Sequence, residues 1–368
     1  GYTMTDKTEA MRFADGFDLT RRTLLHSLIG MGVGIGTLAQ FGEALAQASN
    51  STVRELTIHL QAGLQDICRD FADKPFGKVA PGVKVNYDIG ANGITYPKML
   101  AQRSNPVVSG GMYNDIYAQR GIADRMWAKF NPALMPNATN IPKEILTPGG
   151  FGLPIHLTPF GIMYNPDRVE KPTSWTDLWN PKYKGRVSMW SAYFDAYIMA
   201  AVATGKGPDV EAGIKAWQPH KQNIGAWITS HINEQDLVSR GEIWLAPHWG
   251  GWTEQARVQG KNVAFTIPKE GAVQWTGHMQ LTAGFSPEAT ELTQHYLNTW
   301  LSDECQVAWA EKAFLSPALS TVRMPEHLLS NPAIVAPDKV TSLVRPDVVS
   351  IGPKMTAYKA LIDRTLRA

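Results

Sequence analysis

Twelve tryptophans in 368 residues are the chemically distinctive feature of this chain. An indole face attracts an organic cation by roughly 0.5–2 kcal/mol, more where water is excluded, and a nearby carboxylate neutralises the charge. Two places stand out. In Trp249-Gly250-Gly251-Trp252, read as a loop after a strand-like run, a glycine pair separates two indoles, an unusual device for packing alone. Trp275 follows the turn Lys269-Glu270-Gly271.

Bond-making chemistry is thinly represented. No Gly-x-Ser-x-Gly elbow, no Gly-x-x-x-x-Gly-Lys phosphate loop and no His-Glu-x-x-His pair occurs. Gly30, Gly32, Gly34 and Gly36 imitate a dinucleotide loop but have no strand before them. His220, His231 and His248 are the densest set among nine histidines, and they read as surface or packing residues, not as a metal site. The only two cysteines, Cys68 and Cys305, lie outside any Cys-x-x-Cys spacing, which excludes a thiolate zinc site. Their count leaves a single disulfide and two buried thiols equally open. No catalytic residue, metal ligand or cofactor is therefore expected. With 35 Lys plus Arg against 33 Asp plus Glu, the net charge is +2 and no basic cluster invites nucleic acid. An apolar share of 44% is enough for a real core.

The elements that must position these tryptophans follow a strand-helix rhythm. Residues 53–60, 83–88 and 114–118 read as strands, with helices over residues 65–72 and 95–103, Pro97 falling in the first turn of the second. Breakers at residues 149–154 precede a strand at residues 161–165 and mark a crossing between two lobes. Residues 174–179 form a short capped helix, residues 186–190 a strand, and residues 195–203 and 211–217 helices. Residues 243–247 and 263–268 are strands, residues 287–300 and 303–313 a helical pair, and residues 353–366 a closing amphipathic helix. This alternation predicts an α/β protein with parallel sheets.

Ahead of these elements lies a leader-like segment. Arg21-Arg22, a modest apolar stretch over residues 24–41 and the small-residue pattern Ala44-Leu45-Ala46 match a twin-arginine signal peptide over residues 1–48. The apolar stretch is too short and glycine-rich to span a membrane core of about 30 Å. Export of a folded protein to the periplasm is the expectation.

Leu153-Pro154, Gly161-Ile162-Met163-Tyr164-Asn165 and residues 173–185 (TSWTDLWNPKYKG), followed by residues 264–271 (AFTIPKEG) and Trp275, resemble the polyamine (spermidine/putrescine-binding-like) family of periplasmic solute-binding proteins. The resemblance implies a two-lobed type II periplasmic binding fold with a hinge and an interlobe cleft. Residues 49–152 plus about 275–316 would form lobe 1, and residues 153–274 plus about 317–368 lobe 2. It implies a non-enzymatic, monomeric receptor that closes on a small molecule and delivers it to the membrane permease of an ABC importer. The ligand-binding positions carried over are Trp249, Trp252, Trp275, Asp195, Tyr193, His278 and Gln61; Trp175 and Trp179 belong to a helix shared across the family and read as structural. The chain departs at Gly277, where polyamine binders carry an aspartate, and at Gln61, where an aromatic is common. One lost carboxylate leaves a second ammonium unpaired, so a monoamine, a quaternary ammonium, an amino-acid derivative or a related zwitterion is favoured over a diamine. For a ligand carrying an anionic group, Arg120 and His278 are the expected receivers. The alternatives are a ferric-ion, thiamine or phosphonate binder of the same fold, or a periplasmic sensor; the chain lacks the adjacent tyrosines of ferric binders. An enzyme on this fold ranks last.

Overall fold

The computed structural model describes residues 52–368, so the expected leader lies outside the described residues. Residues Glu55–Phe76 and Lys84–Ala368 form one compact unit, and the architecture below is that of this unit. It is a mixed α/β fold built on eleven strands: β1 (Glu55–Leu60), β2 (Lys84–Ile89), β3 (Gly110–Tyr113), β4 (Trp127–Ala128), β5 (Leu153–Tyr164), β6 (Val187–Trp190), β7 (Ile224–Ile228), β8 (Leu245–Trp249), β9 (Ala264–Thr266), β10 (Val273–Thr282) and β11 (Ser316–Pro317). Helices of eight residues or more are α1 (Asn92–Ala101), α2 (Asp115–Ala123), α3 (Asp195–Ala203), α4 (Val210–Trp217), α5 (His231–Ser239), α6 (Gly250–Val258), α7 (Pro287–Thr299), α8 (Asp303–Ala313) and α9 (Met355–Leu366).

The main path of the sheet runs β2-β1-β3-β10-β5-β8-β6-β7. β1, β2 and β3 are mutually parallel, as are β6, β7 and β8, and these two wings flank the long central strands β5 and β10. β10 is antiparallel to both β3 and β5, and β5 is antiparallel to β8. Following these senses across the sheet, the strands of the two wings point in opposite directions. Register then shows where their carboxyl ends lie. Tyr113, the last residue of β3, pairs with His278, and Trp249, the last residue of β8, pairs with Phe160. Both ends therefore converge on the stretch of β5 and β10 between those pairs, where Gly277 faces His156 and Trp275 faces Thr158. In open α/β sheets the crevice beyond strand carboxyl ends is where ligands bind.

Burial explains why these elements form. α3 is apolar nearly all round and its residues from Asp195 to Ala201 are buried, as expected for a helix packed on several sides. It joins Trp175, Trp217 and the β6 residues Val187 and Met189 in one core cluster. Ser174 caps the turn Trp175–Trp179 with a reciprocal Asp177 contact, as its sequence predicts. Cys68 and Cys305 are both free and buried.

Three local expectations are corrected. Residues 114–118 are not a strand: β3 ends at Tyr113, and Asn114 caps α2 through its side chain, which accepts from Tyr117 N at 3.3 Å. Pro97 lies inside α1 and not in its first turn, because the helix begins at Asn92. The Asn92 amide fixes that start, donating to Met112 O (3.1 Å), meeting His59 Nε2 (2.9 Å) and accepting from Asn114 N (2.9 Å). The Trp249–Trp252 segment is no loop. Trp249 ends β8 and the next residue opens α6.

Candidate functional site

Trp275 borders two cavities. The larger, about 780 Å³, is walled by the start of α2 (Asn114, Asp115), by Tyr193 and Asp195 ahead of and opening α3, and by an apolar strip including Val348, Ile351 and Met355. The smaller, about 120 Å³, is lined by Gln61, His156, Thr158, Trp249 and Trp252, with Lys312 at its edge. A ligand pocket usually spans about 300–1,000 Å³, so the larger cavity alone is of ligand size.

The two carboxylates of the larger cavity reach it by equivalent routes. β3 leads through the Asn114 cap into α2, which places Asp115 in the first turn, and β6 leads through a short turn into α3, which opens with Asp195. Asp195 spends no oxygen on capping its helix. Its Oδ2 accepts from the Tyr193 hydroxyl at 2.5 Å. Burial, reinforced by the Asp115 charge, pushes the Asp195 carboxyl up to about 7 against the Tyr193 hydrogen bond. Burial likewise raises Tyr193 far above its ordinary value, and Asp195 adds to it. Asp115 is held by His278, whose Nε2 meets Asp115 Oδ1, while Thr147 Oγ1 lies 3.4 Å from His278 Nδ1. An apolar, aromatic-walled space with two carboxylates converging on it is chemically a cation site.

The remaining wall comes from the end of the chain. Gln274 N donates to Val344 O (2.8 Å) and Val344 N to Ala272 O (2.9 Å), so the segment lies along β10 beside Trp275 and delivers residues 346–355 to the cavity.

Around the smaller cavity, close approach decides the residue types. A Cβ at Gly250 would sit 2.8 Å from Phe265, and one at Gly251 3.0 Å from Phe314 O. The glycine pair lets α6 start hard against its neighbours while Trp249 and Trp252 flank the junction, their rings 4.9 Å apart. Behind them, His248 Nδ1 lies 2.6 Å from Glu234 Oε1, and Ser188 Oγ donates to Glu234 Oε2 at 2.8 Å. Burial lowers His248 to about 3 and raises Glu234. This sealed network braces the end of β8. His231 stacks on Trp252 with centroids 3.7 Å apart, and His220 stacks on Trp179 at 4.7 Å. The three histidines are thus separately engaged, and no group of three metal-ligating side chains occurs among the described residues.

Of the residues singled out by sequence, Trp249, Trp252 and Gln61 line the smaller cavity, Tyr193 and Asp195 the larger, and Trp275 both. His278 lines neither and instead holds Asp115. Arg120 borders the larger cavity but already pairs with Asp124 (3.4 Å) and lies over the Tyr96 ring (5.2 Å). Trp249 serves two purposes, because it also belongs to the core cluster with Phe160 and Trp190. Sequence reasoning missed Asp115 and His156. The Asn114-Asp115 cap signature could have revealed the first, whereas the second becomes visible only through strand register.

A paired-wing α/β fold with an aromatic and carboxylate-lined crevice at its converging strand ends defines a solute-binding protein. The chain belongs to the bacterial extracellular solute-binding protein family, whose model matches residues 107–338, more than half of the sequence. It is 25% identical over 219 residues to the spermidine/putrescine-binding periplasmic protein of Escherichia coli (strain K12), a match covering 55% of this chain and 61% of that protein. Among solved structures, a putative extracellular solute-binding protein from Bordetella parapertussis superposes with a TM-score of 0.74 at 22% identity, covering 85% of this chain and 99% of that one. A Trichodesmium protein in complex with iron and citrate superposes with a TM-score of 0.65 at 16% identity, covering 84% and 99%. The fold is the two-lobed one of periplasmic solute-binding proteins.

Proposed function

We propose that this chain is the periplasmic, monomeric receptor of an ABC importer, which captures a small amine-containing or zwitterionic solute and presents it to a membrane permease. The observation that carries the reading is that Trp275 lines one cavity with Asp115 and Asp195 where the two wings converge. Lobe 1 (residues 49–152 plus about 275–316) would then close on lobe 2 (residues 153–274 plus about 317–368). A solute drives closure only if it contacts both better in the closed state, and Asp115 and Asp195 come from opposite wings, as that requires. The kinship with spermidine/putrescine binders supports an amine ligand. Delivery after export through a twin-arginine signal fits the Arg21-Arg22 leader.

A thermal-shift screen against amines, amino acids, opines, thiamine, aminophosphonates and ferric citrate tests the reading. A ligand at a hundred times its Kd stabilises by about 2.7 kcal/mol. An amine or betaine should give the largest shift, and a shift from ferric citrate alone would refute the amine assignment.

A further inference from the structure

The two cavities that share Trp275 differ in charge. Asp115 and Asp195 both face the larger one, whereas the polar lining of the smaller is an imidazole, a hydroxyl and two amides, from His156, Thr158, Gln61 and Gln255. The one charge there is the Lys312 ammonium at the edge.

His156 is the unusual member. It is wholly buried, its ring lies nearly parallel to that of Trp275 (13°, centroids 6.4 Å apart), and it stands edge-on to Trp309 at 5.2 Å. Its register partner is Gly277, and a Cβ there would fall 2.7 Å from Nδ1, so the imidazole occupies the space that a side chain at 277 would need. Neither ring nitrogen has a hydrogen-bond partner. Leaving a buried polar group unpaired costs on the order of 1–3 kcal/mol, and such groups in native proteins call for a reason. Burial lowers this imidazole to about 3, so it is neutral at any physiological pH and offers one donor and one acceptor.

We infer that the solute is a monocation with an uncharged hydroxyl or amide at its other end, which lies along Trp275 with its ammonium between Asp115 and Asp195 and its uncharged end against His156. The inference rests on the amine reading above and deepens it. A second ammonium in the smaller cavity would meet a neutral ring and the Lys312 charge in place of a counterion. A hydroxyl or carboxamide can instead satisfy either ring nitrogen. The small volume suits such a terminal group, while the larger cavity takes the body of the solute.

Matched probes of equal chain length test this by isothermal titration: 4-amino-1-butanol and 4-aminobutanamide against putrescine. At least one uncharged-end probe should bind tenfold or more tightly than putrescine. His156→Leu should bring that ratio near one, whereas His156→Gln, which keeps an uncharged donor and acceptor, should preserve it. Lys312→Glu, at an exposed position that does not endanger folding, should selectively strengthen putrescine. Equal or tighter binding of putrescine to the native protein, or a ratio unmoved by both His156→Leu and Lys312→Glu, overturns the inference alone. Failure of every amine, including those of the wider thermal-shift screen, to bind removes the amine reading and the inference with it.

Discussion

Two populations stand out among the tryptophans, and their surroundings differ in kind. Trp127, Trp175, Trp190 and Trp309 are buried, and each donates its indole N–H to a backbone carbonyl at 2.8–3.3 Å. Trp217 is 1% exposed and edge-on to Trp179 within the core cluster around α3 and α4. Trp252 is exposed and Trp275 partly buried, both border the cavities, and Trp249, at 8% exposure, stands between the populations with no well-directed partner for its N–H. The same side chain thus fills the core where it is enclosed on all sides and borders a cavity where a face is left free. Residue type alone does not separate these uses; position against a cavity does.

The largest expected effect belongs to the first population. Trp217→Ala should cost about 3–5 kcal/mol of stability through lost burial and a residual cavity, read from denaturant unfolding, with unchanged affinity in whatever protein remains folded. A loss under 1 kcal/mol would erase the distinction. Next comes Trp275→Ala. It should weaken binding of an amine at least about tenfold, roughly 1.4 kcal/mol, while the melting temperature of the unliganded protein barely moves. A large melting shift with intact affinity would reassign Trp275 to the core.

Much of this was legible in the residues. The alternation of strands and helices, the Ser174 cap and the helix Asp303–Ala313 behind its Ser302 cap follow from local pattern and capping, which depend on neighbours in sequence. The wings and the cavities depend instead on register between strands more than a hundred residues apart, such as His156 against Gly277. That is why Gly277 reads in the sequence only as a missing carboxylate, whereas in the fold it is the space taken by an imidazole. Asp115 was hidden for a different reason. Ile116, Tyr117 and Ala118 mimic a strand, and only the capping hydrogen bond of Asn114 tips the segment into a helix and turns Asp115 toward the crevice.

The smallest effect probes the charge of the larger cavity. Asp195 rises from 3.8 to about 7 because burial penalises its anion. In the unliganded protein the folded state therefore holds this proton more tightly than the unfolded chain does. The associated stability is complete below the unfolded value of 3.8 and is lost as pH climbs through about 7. A bound ammonium favours the ionised carboxylate and reverses that dependence. Affinity for an amine should fall about fivefold from pH 7 to 6 and rise only about twofold from pH 7 to 8, as the ionised fraction dictates. Titrations in buffers of different ionisation enthalpy should show proton release near neutrality, and Asp195→Asn should abolish both the release and the pH slope. If the slope survives in that variant, the titrating group lies elsewhere, and the cation would then be read by the α2 carboxylate and not the α3 one.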